Sequence, residues 1–284
     1  MRPDRLATLY VFRPLRKCLP ARAGIPILMY HSISDRDEPG RRPYYRTVTA
    51  SDVFESQMRL LRECGYRTIG LNEAGQASGK AVAGRRVIIT FDDGFRDFHT
   101  HAFPILSRYG FTATMFLPTA YIANERRQFN GIECLTWSEV GELERSGMIF
   151  GSHTVTHPQL RTMSLPAVRR ELEYSKEAIE DKIGRPVTSF SYPYAFPEAD
   201  RNFCRELRTI LGECGYTNGV STTIGTAGQR SDVFFYKRLP VNSCDDARLF
   251  AAKIEGAYDW LHSAQYALKL LARPGRKRQR SLPA

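Results

Sequence analysis

Between residues 24 and 260, short apolar runs alternate with stretches whose apolar residues return every three or four positions. The run at 25–29 (IPILM) ends in Tyr30-His31 and predicts a buried strand that delivers a histidine. Phe54, Met58 and Leu61 then keep helical spacing, with Ser51 or Asp52 placed to cap the helix and Gly65 to stop it. A brief strand is predicted at 67–71 and a strong one at 86–91, where RVIITF is continuous and rich in β-branched residues. Downstream the alternation predicts a helix at 101–109, a strand at 112–117, a helix at 138–145 and a strand at 148–151. A long helix follows Ser164, with Val168, Leu172, Ser175 and Ile179 inward and its end before Gly184. Then come a strand at 188–191, a helix at 204–211, short strands at 219–221 and 234–239, and one helix over 247–271. Strands alternating with helices, with no internal repeat, imply an α/β fold: a parallel sheet or (β/α) barrel in a single domain.

Four polar clusters fall where a predicted strand ends: His31, Asp92-Asp93-Gly94, the segment from His153 to His157, and Pro193-Tyr194. In a parallel barrel those ends share one face, where active sites are built. Asp93, His153 and His157 offer one carboxylate and two imidazoles. That donor set suits one divalent metal ion, zinc first, with cobalt, nickel or iron(II) as alternatives. Taken alone, the histidine pair is as well explained by side chains bonded to their own loop, and the aspartate pair by a turn or a helix cap. Together they point to catalysis. Neighbouring strand positions face opposite sides, so one carboxylate can hold metal while the other faces the substrate and serves as a base. Gly94 permits the sharp turn that keeps such a site open.

At 284 residues, 42% hydrophobic and 25% charged, the chain can bury a sizeable core. No run nears the ~18 apolar residues that a membrane-spanning helix needs. The formal charge is +11, but residues 1–22 and 273–284 each carry a net five positive charges, so the body is nearly neutral. A nucleic-acid partner is therefore not expected, since that needs cations interleaved with aromatics on the folded face. The six cysteines are scattered, without a C-x-x-C pair, and read as reduced thiols. Arg13, Arg16 and Lys17 interrupt any secretory leader, and a cytoplasmic protein is expected. The chain divides into a basic lead (1–24), a catalytic domain (25–245) and a C-terminal helix with a basic tail (246–284). Leu261, Ala264, Leu268 and Leu271 share one side of that helix, near Trp260 and Tyr266, and the cations of 273–280 follow. With Leu6, Leu9, Tyr10 and Phe12 of the lead, they predict peripheral contact with an anionic membrane at its inner face. Packing of the stripe on the barrel is the alternative.

Three segments carry a resemblance: Thr90-Phe91-Asp92-Asp93-Gly94, then Ser152-His153-Thr154-Val155-Thr156-His157-Pro158, then Tyr192-Pro193-Tyr194. In this order they resemble the first three motifs of the polysaccharide deacetylase family, the NodB-homology domain of carbohydrate esterase family 4. The resemblance covers roughly residues 25–245. It implies a distorted (β/α) barrel that hydrolyses N-acetyl, sometimes O-acetyl, groups of a glycan or lipid-linked sugar. It implies Asp92 as general base, Asp93, His153 and His157 as metal ligands, and the Tyr194 N–H as an oxyanion donor approached through Pro193. Two positions depart from the third motif, where Ser191 and Ala195 replace Arg and Gly, and the late Leu-x-His motif is absent. The chain is similar instead to the branch of poly-N-acetylglucosamine deacetylases, in which a Tyr-His near the N-terminus supplies the acid. Here that is His31, an imidazole suited to protonating a leaving amine. Arg238 can replace the missing arginine by pairing with Asp92 from another strand, and Trp137 can form an apolar wall or a sugar-stacking plate. A deformylase or O-acetyl esterase on the same site, or a non-catalytic sugar-binding barrel, are the competing readings.

Overall fold

Seven parallel strands close into a barrel in chain order: β1 (Ile27–Tyr30), β2 (Arg85–Phe91), β3 (Thr114–Leu117), β4 (Ile149–Ser152), β5 (Ser189–Ser191), β6 (Asn218–Ile224) and β7 (Tyr236–Pro240). Each pairs with the next, and β7 returns to β1 with Leu239 opposite Leu28. This computed structural model describes residues 2–18, 24–76, 84–228 and 231–271. A further strand, Tyr66–Thr68, pairs on the edge of β2. The helices around the barrel are α1 (residues 3–18, with a π-turn at Thr8–Phe12), α2 (Ser51–Glu63), α3 (Leu71–Gln76), α4 (Phe103–Tyr109), α5 (Trp137–Arg145), α6 (Leu165–Ile183), α7 (Arg201–Glu213), α8 (Ala247–Ile254) and α9 (Trp260–Leu271).

The pleat sorts the side chains of each strand into two cores. Ile89 and Phe91 of β2 belong to the outer core, with Phe54, Met58 and Leu61 of α2. Ile88 belongs to the inner one, with Ile27, Phe116, Val220 and Tyr236, and Leu71 and Ala74 of α3 pack against it. The barrel is thus filled by apolar side chains from one end. Toward the C-terminal ends of the strands the buried residues become polar: Thr90, Ser191, Ser221, Arg238 and Asp92. This change of lining is what prepares a site there.

Three sequence expectations are corrected. Ala50, not Ser51 or Asp52, caps α2. A tertiary contact decides it, because the Ala50 N–H donates to Ser243 Oγ at 2.7 Å and so fixes the chain one residue earlier. The single helix expected over 247–271 is two, because Gly256 adopts a left-handed conformation (φ 78°) that ends α8. The brief strand expected at 67–71 is Tyr66–Thr68, and Leu71 already starts α3.

Residues 3–18 of the basic lead form a helix docked on the far end of the chain. Arg2 pairs with Asp245, Arg5 with Asp246 and Arg13 with Glu255. Leu9 is buried, Phe12 stacks on Trp260 with centroids 4.6 Å apart, and the Trp260 indole donates to Thr8 Oγ1. Beneath the start of α1, Lys253 is fully enclosed and donates to Asp245 Oδ2 and the Pro240 carbonyl, both at 2.6 Å. The tail from 272 onward, and the side chains of Leu268 and Leu271, lie outside the described residues.

Candidate active site

Asp93 stands two residues beyond the end of β2, His153 directly beyond β4, and His157 on the loop that follows. Their ligand atoms lie within 4.8 Å of one another. Asp93 Oδ1 is 3.5 Å from His153 Nε2 and 3.4 Å from His157 Nε2. A tetrahedral ion with bonds of about 2.0–2.1 Å sets its ligand atoms about 3.3 Å apart, so the spacing fits a divalent metal. Two further observations agree. Asp93 Oδ1 is buried and accepts no hydrogen bond. His153 Nδ1 lies 2.8 Å from the Ser191 carbonyl, which can only accept, so Nδ1 carries a proton and Nε2 is the nitrogen turned to the centre. Burial, then the neighbouring His153, push His157 down to about 4, which keeps it in the neutral form that ligates. For Asp93, burial opposes ionisation, but the close His153 imidazole, then the His31 and His157 rings, hold it below the ordinary carboxylate range.

The backbone at this site is held in conformations that side chains avoid. Asp93 (φ 74°), Thr154 (φ 69°), His157 (φ 55°) and Tyr194 (φ 57°) are all left-handed. Each such residue costs about 1–3 kcal/mol, and clusters of this kind mark functional loops. Gly94 also has positive φ, and a Cβ there would meet Ile122, Leu117 and Pro118 within 3.4 Å. The metal loop is tied down by Glu171 of α6. Its Oε2 accepts the N–H groups of Val155 and Thr156 at 2.8 and 2.9 Å, and its Oε1 accepts the Thr156 hydroxyl. Thr154 Oγ1 accepts the His157 N–H at 3.0 Å.

Asp92 faces the barrel axis and is fully buried against Arg238. The guanidinium donates in a fork, Nη1 to Oδ1 at 2.8 Å and Nη2 to Oδ2 at 2.7 Å. Arg238 Nε donates to the Ser221 carbonyl, and Nη2 also reaches Ser191 Oγ. Ser191 Oγ in turn donates to Asp92 Oδ1 at 3.1 Å. So Ser191, at the departed motif position, serves Asp92 through its hydroxyl and His153 through its carbonyl, while the guanidinium arrives from β7. Burial works against ionisation of Asp92, but the charges of Arg238 and His153 outweigh it and keep the carboxyl far below its usual range.

His31 follows β1, whose register sets Tyr30 beside Phe91 and therefore His31 level with Asp92. A positive charge at His31 would favour the ionised forms of Asp92 and Asp93 and the neutral form of His157. Tyr194, half exposed, lays its ring 4.6 Å from that of His157. Together with Pro193, Tyr192, Phe196 and Arg161 it lines a cleft of about 540 Å³. Trp137 stands apart. It is the first residue of α5, fixed by the Thr136–Glu139 capping box, and lines a separate groove with Val155 and Tyr174. Sequence reasoning missed Phe129, whose ring lies 5.0 Å from His157, and Glu171. It also missed Asp97, which bonds to Ser32 beside His31 and is pushed up to about 6 by burial. Only Asp97 lay near a recognisable motif, four residues after Asp93.

Residues 79–219 match the model of the polysaccharide deacetylase family. A Bacillus subtilis protein assigned to the polysaccharide deacetylases, YxkH, is 29% identical over 235 residues, covering 82% of this chain and 77% of its own. The poly-β-1,6-N-acetyl-D-glucosamine N-deacetylase of Staphylococcus aureus is 22% identical over 204 residues, covering 68% and 67%. Among solved structures, the Streptococcus pyogenes deacetylase PplD superposes with a TM-score of 0.70 at 24% identity, over 82% of this chain and 99% of that one. The chain contains a domain of the polysaccharide deacetylase family at residues 79–219. It is a deacetylase-type hydrolase on a NodB-type barrel, in line with the fold, the motif order and the ligand trio.

Proposed function

We propose that the protein removes N-acetyl groups from an N-acetylated glycan or lipid-linked sugar, with one divalent ion, zinc foremost, held by Asp93, His153 and His157. The observation that carries the reading is the juxtaposition of two separate carboxylates at one strand end. Asp93 is aimed at the imidazoles, and Asp92 is held ionised by Arg238. A binding module has no use for that second carboxylate. When bound, the ion supplies Lewis acidity toward the amide carbonyl and eases the ionisation of water. Asp92 receives the proton of the attacking water, through the lone pair on Oδ2 that Arg238 leaves open. Since the fork makes Asp92 a weak base, it does not store the proton but passes it to His31, which is left neutral when it protonates the leaving amine. The backbone N–H of Tyr194 donates to the developing oxyanion, a role supported by the left-handed turn there and by the closeness of its ring to His157. His31 protonates the leaving amine.

Release of acetate and formate from a matched panel of N-acetyl, O-acetyl and N-formyl sugars, free and lipid-linked, tests this reading. N-acetyl substrates should turn over fastest; faster loss of O-acetyl or formyl groups would assign the site to an esterase or deformylase. His31→Ala should abolish the alkaline limb of the pH–rate profile without releasing metal, and an unchanged profile would remove His31 from the mechanism. We further place the enzyme in the cytoplasm against the inner face of an anionic membrane. The exposed Tyr10, Val11 and Leu15 of α1, and the cations of 273–280 in the sequence, support that placement.

A further inference from the structure

A second groove, of about 410 Å³, opens on the outer wall of the barrel between α5, α6 and the turn Thr119–Tyr121. It begins at Val155, whose N–H is held by Glu171 and which lies two residues from each of the metal-aimed histidines. From there it follows one face of α6. Tyr174, Ala178 and Asp181 fall three or four residues apart and so line up along the helix. Ala178 is the small residue that leaves depth. Tyr174, 56% exposed, and Trp137 supply aromatic surface. Asp181 and Lys182, both exposed, add an acceptor and a donor at the far end.

Aromatic surface flanked by a carboxylate and an ammonium suits a sugar ring, whose C–H face packs on the π-system while its hydroxyls meet the charged groups. We propose that this groove is a second carbohydrate-binding site, which holds a further segment of the glycan chain whose acetylated unit lies at the metal. The proposal rests on the glycan reading of the active site. Continuity names the occupant, because the groove and the metal loop share Val155 and are braced by the same helix. Tyr174 and Asp181 are seven residues apart, about 10 Å along the helix and the length of two sugar rings. A ligand that touches both ends must be a chain, so the enzyme selects an oligomer or polymer over a single sugar. Trp137, which does not line the cleft at Tyr194, acquires its role here.

The full-length protein and its Tyr174→Ala and Asp181→Ala variants would be titrated with N-acetylglucosamine dimers and hexamers, β-1,4- and β-1,6-linked, with acetate release followed in parallel. Both side chains are exposed, so melting temperatures should not change. Each variant should bind the hexamer about tenfold more weakly, the scale of one truncated contact in a small site, and kcat/KM should fall more for the hexamer than for the dimer. Hexamer binding at wild-type strength in both variants overturns the groove, and so does a wild-type protein that binds neither hexamer. Weakened hexamer binding in a protein that releases no acetate from any sugar would keep the groove and remove the deacetylase reading.

Discussion

Asp92 faces two opposed demands: a base must want a proton, yet Arg238 and Ser191 hold this carboxylate in its charged form. The working form is the carboxylate, and Arg238 lowers its pKa, so removing the guanidinium must raise it. Arg238→Met should therefore shift the acid limb of the pH–rate profile to higher pH, since the base is now protonated over more of the acid range. It should also cost about 3–5 kcal/mol of stability, because one buried charge is left unpaired. Arg238→Lys, which keeps the charge but loses the fork, should fall between; an unmoved limb in both variants would show that Asp92 does not set it. At this scale the sequence was informative where residues fall at strand ends, as with Asp92, Asp93, His153 and His157. It was silent on Phe129 and Glu171, because an ordinary phenylalanine or a helical glutamate becomes part of a site only through folding.

The loop from His153 to His157 is an element that would not hold its own shape. Two of its residues are left-handed, and Glu171 supplies three hydrogen bonds from a different helix to keep them so. Glu171→Gln replaces an acceptor pair by one acceptor and one donor, so the Thr156 hydroxyl must turn from donor to acceptor and the charge that strengthens all three bonds is lost. Metal affinity, read by competitive chelation, should drop by about 10–100-fold, the usual effect of disturbing the groups that orient ligands. Glu171→Asp should recover little, since the shorter arm cannot span the loop. Wild-type affinity in Glu171→Gln would leave Glu171 a surface residue. The strands were legible from their apolar runs because burial on both faces leaves that pattern. The helix at 3–18 was not, since its apolar face is completed by Trp260 and its cations by Asp245, Asp246 and Glu255, all at the far end of the chain. The break at Gly256 was equally hidden, because one glycine in a helical pattern is tolerated as often as it ends a helix.

Across the whole molecule, the docking of α1 divides the apolar residues of the lead. Leu9 and Phe12 are spent on the fold, while Tyr10, Val11 and Leu15 remain outside, 50–60% exposed. If these three and the basic tail meet an anionic membrane, the protein should co-sediment with phosphatidylserine vesicles and be released by salt, as polybasic contacts are. Tyr10→Ser with Leu15→Ser, or a chain ending at Leu271, should each reduce that binding; equal and negligible binding by all forms would remove the membrane from the account. The central claim is tested most directly by following acetate release from an N-acetylated glucosamine oligomer with metal-depleted, metal-restored and Asp92→Asn protein. The account predicts no release after depletion and recovery when zinc or cobalt is returned. Asp92→Asn should hold the metal yet turn over about 10²–10⁴-fold more slowly. Full activity in protein verified to be free of metal, or a fully active Asp92→Asn enzyme, would contradict it.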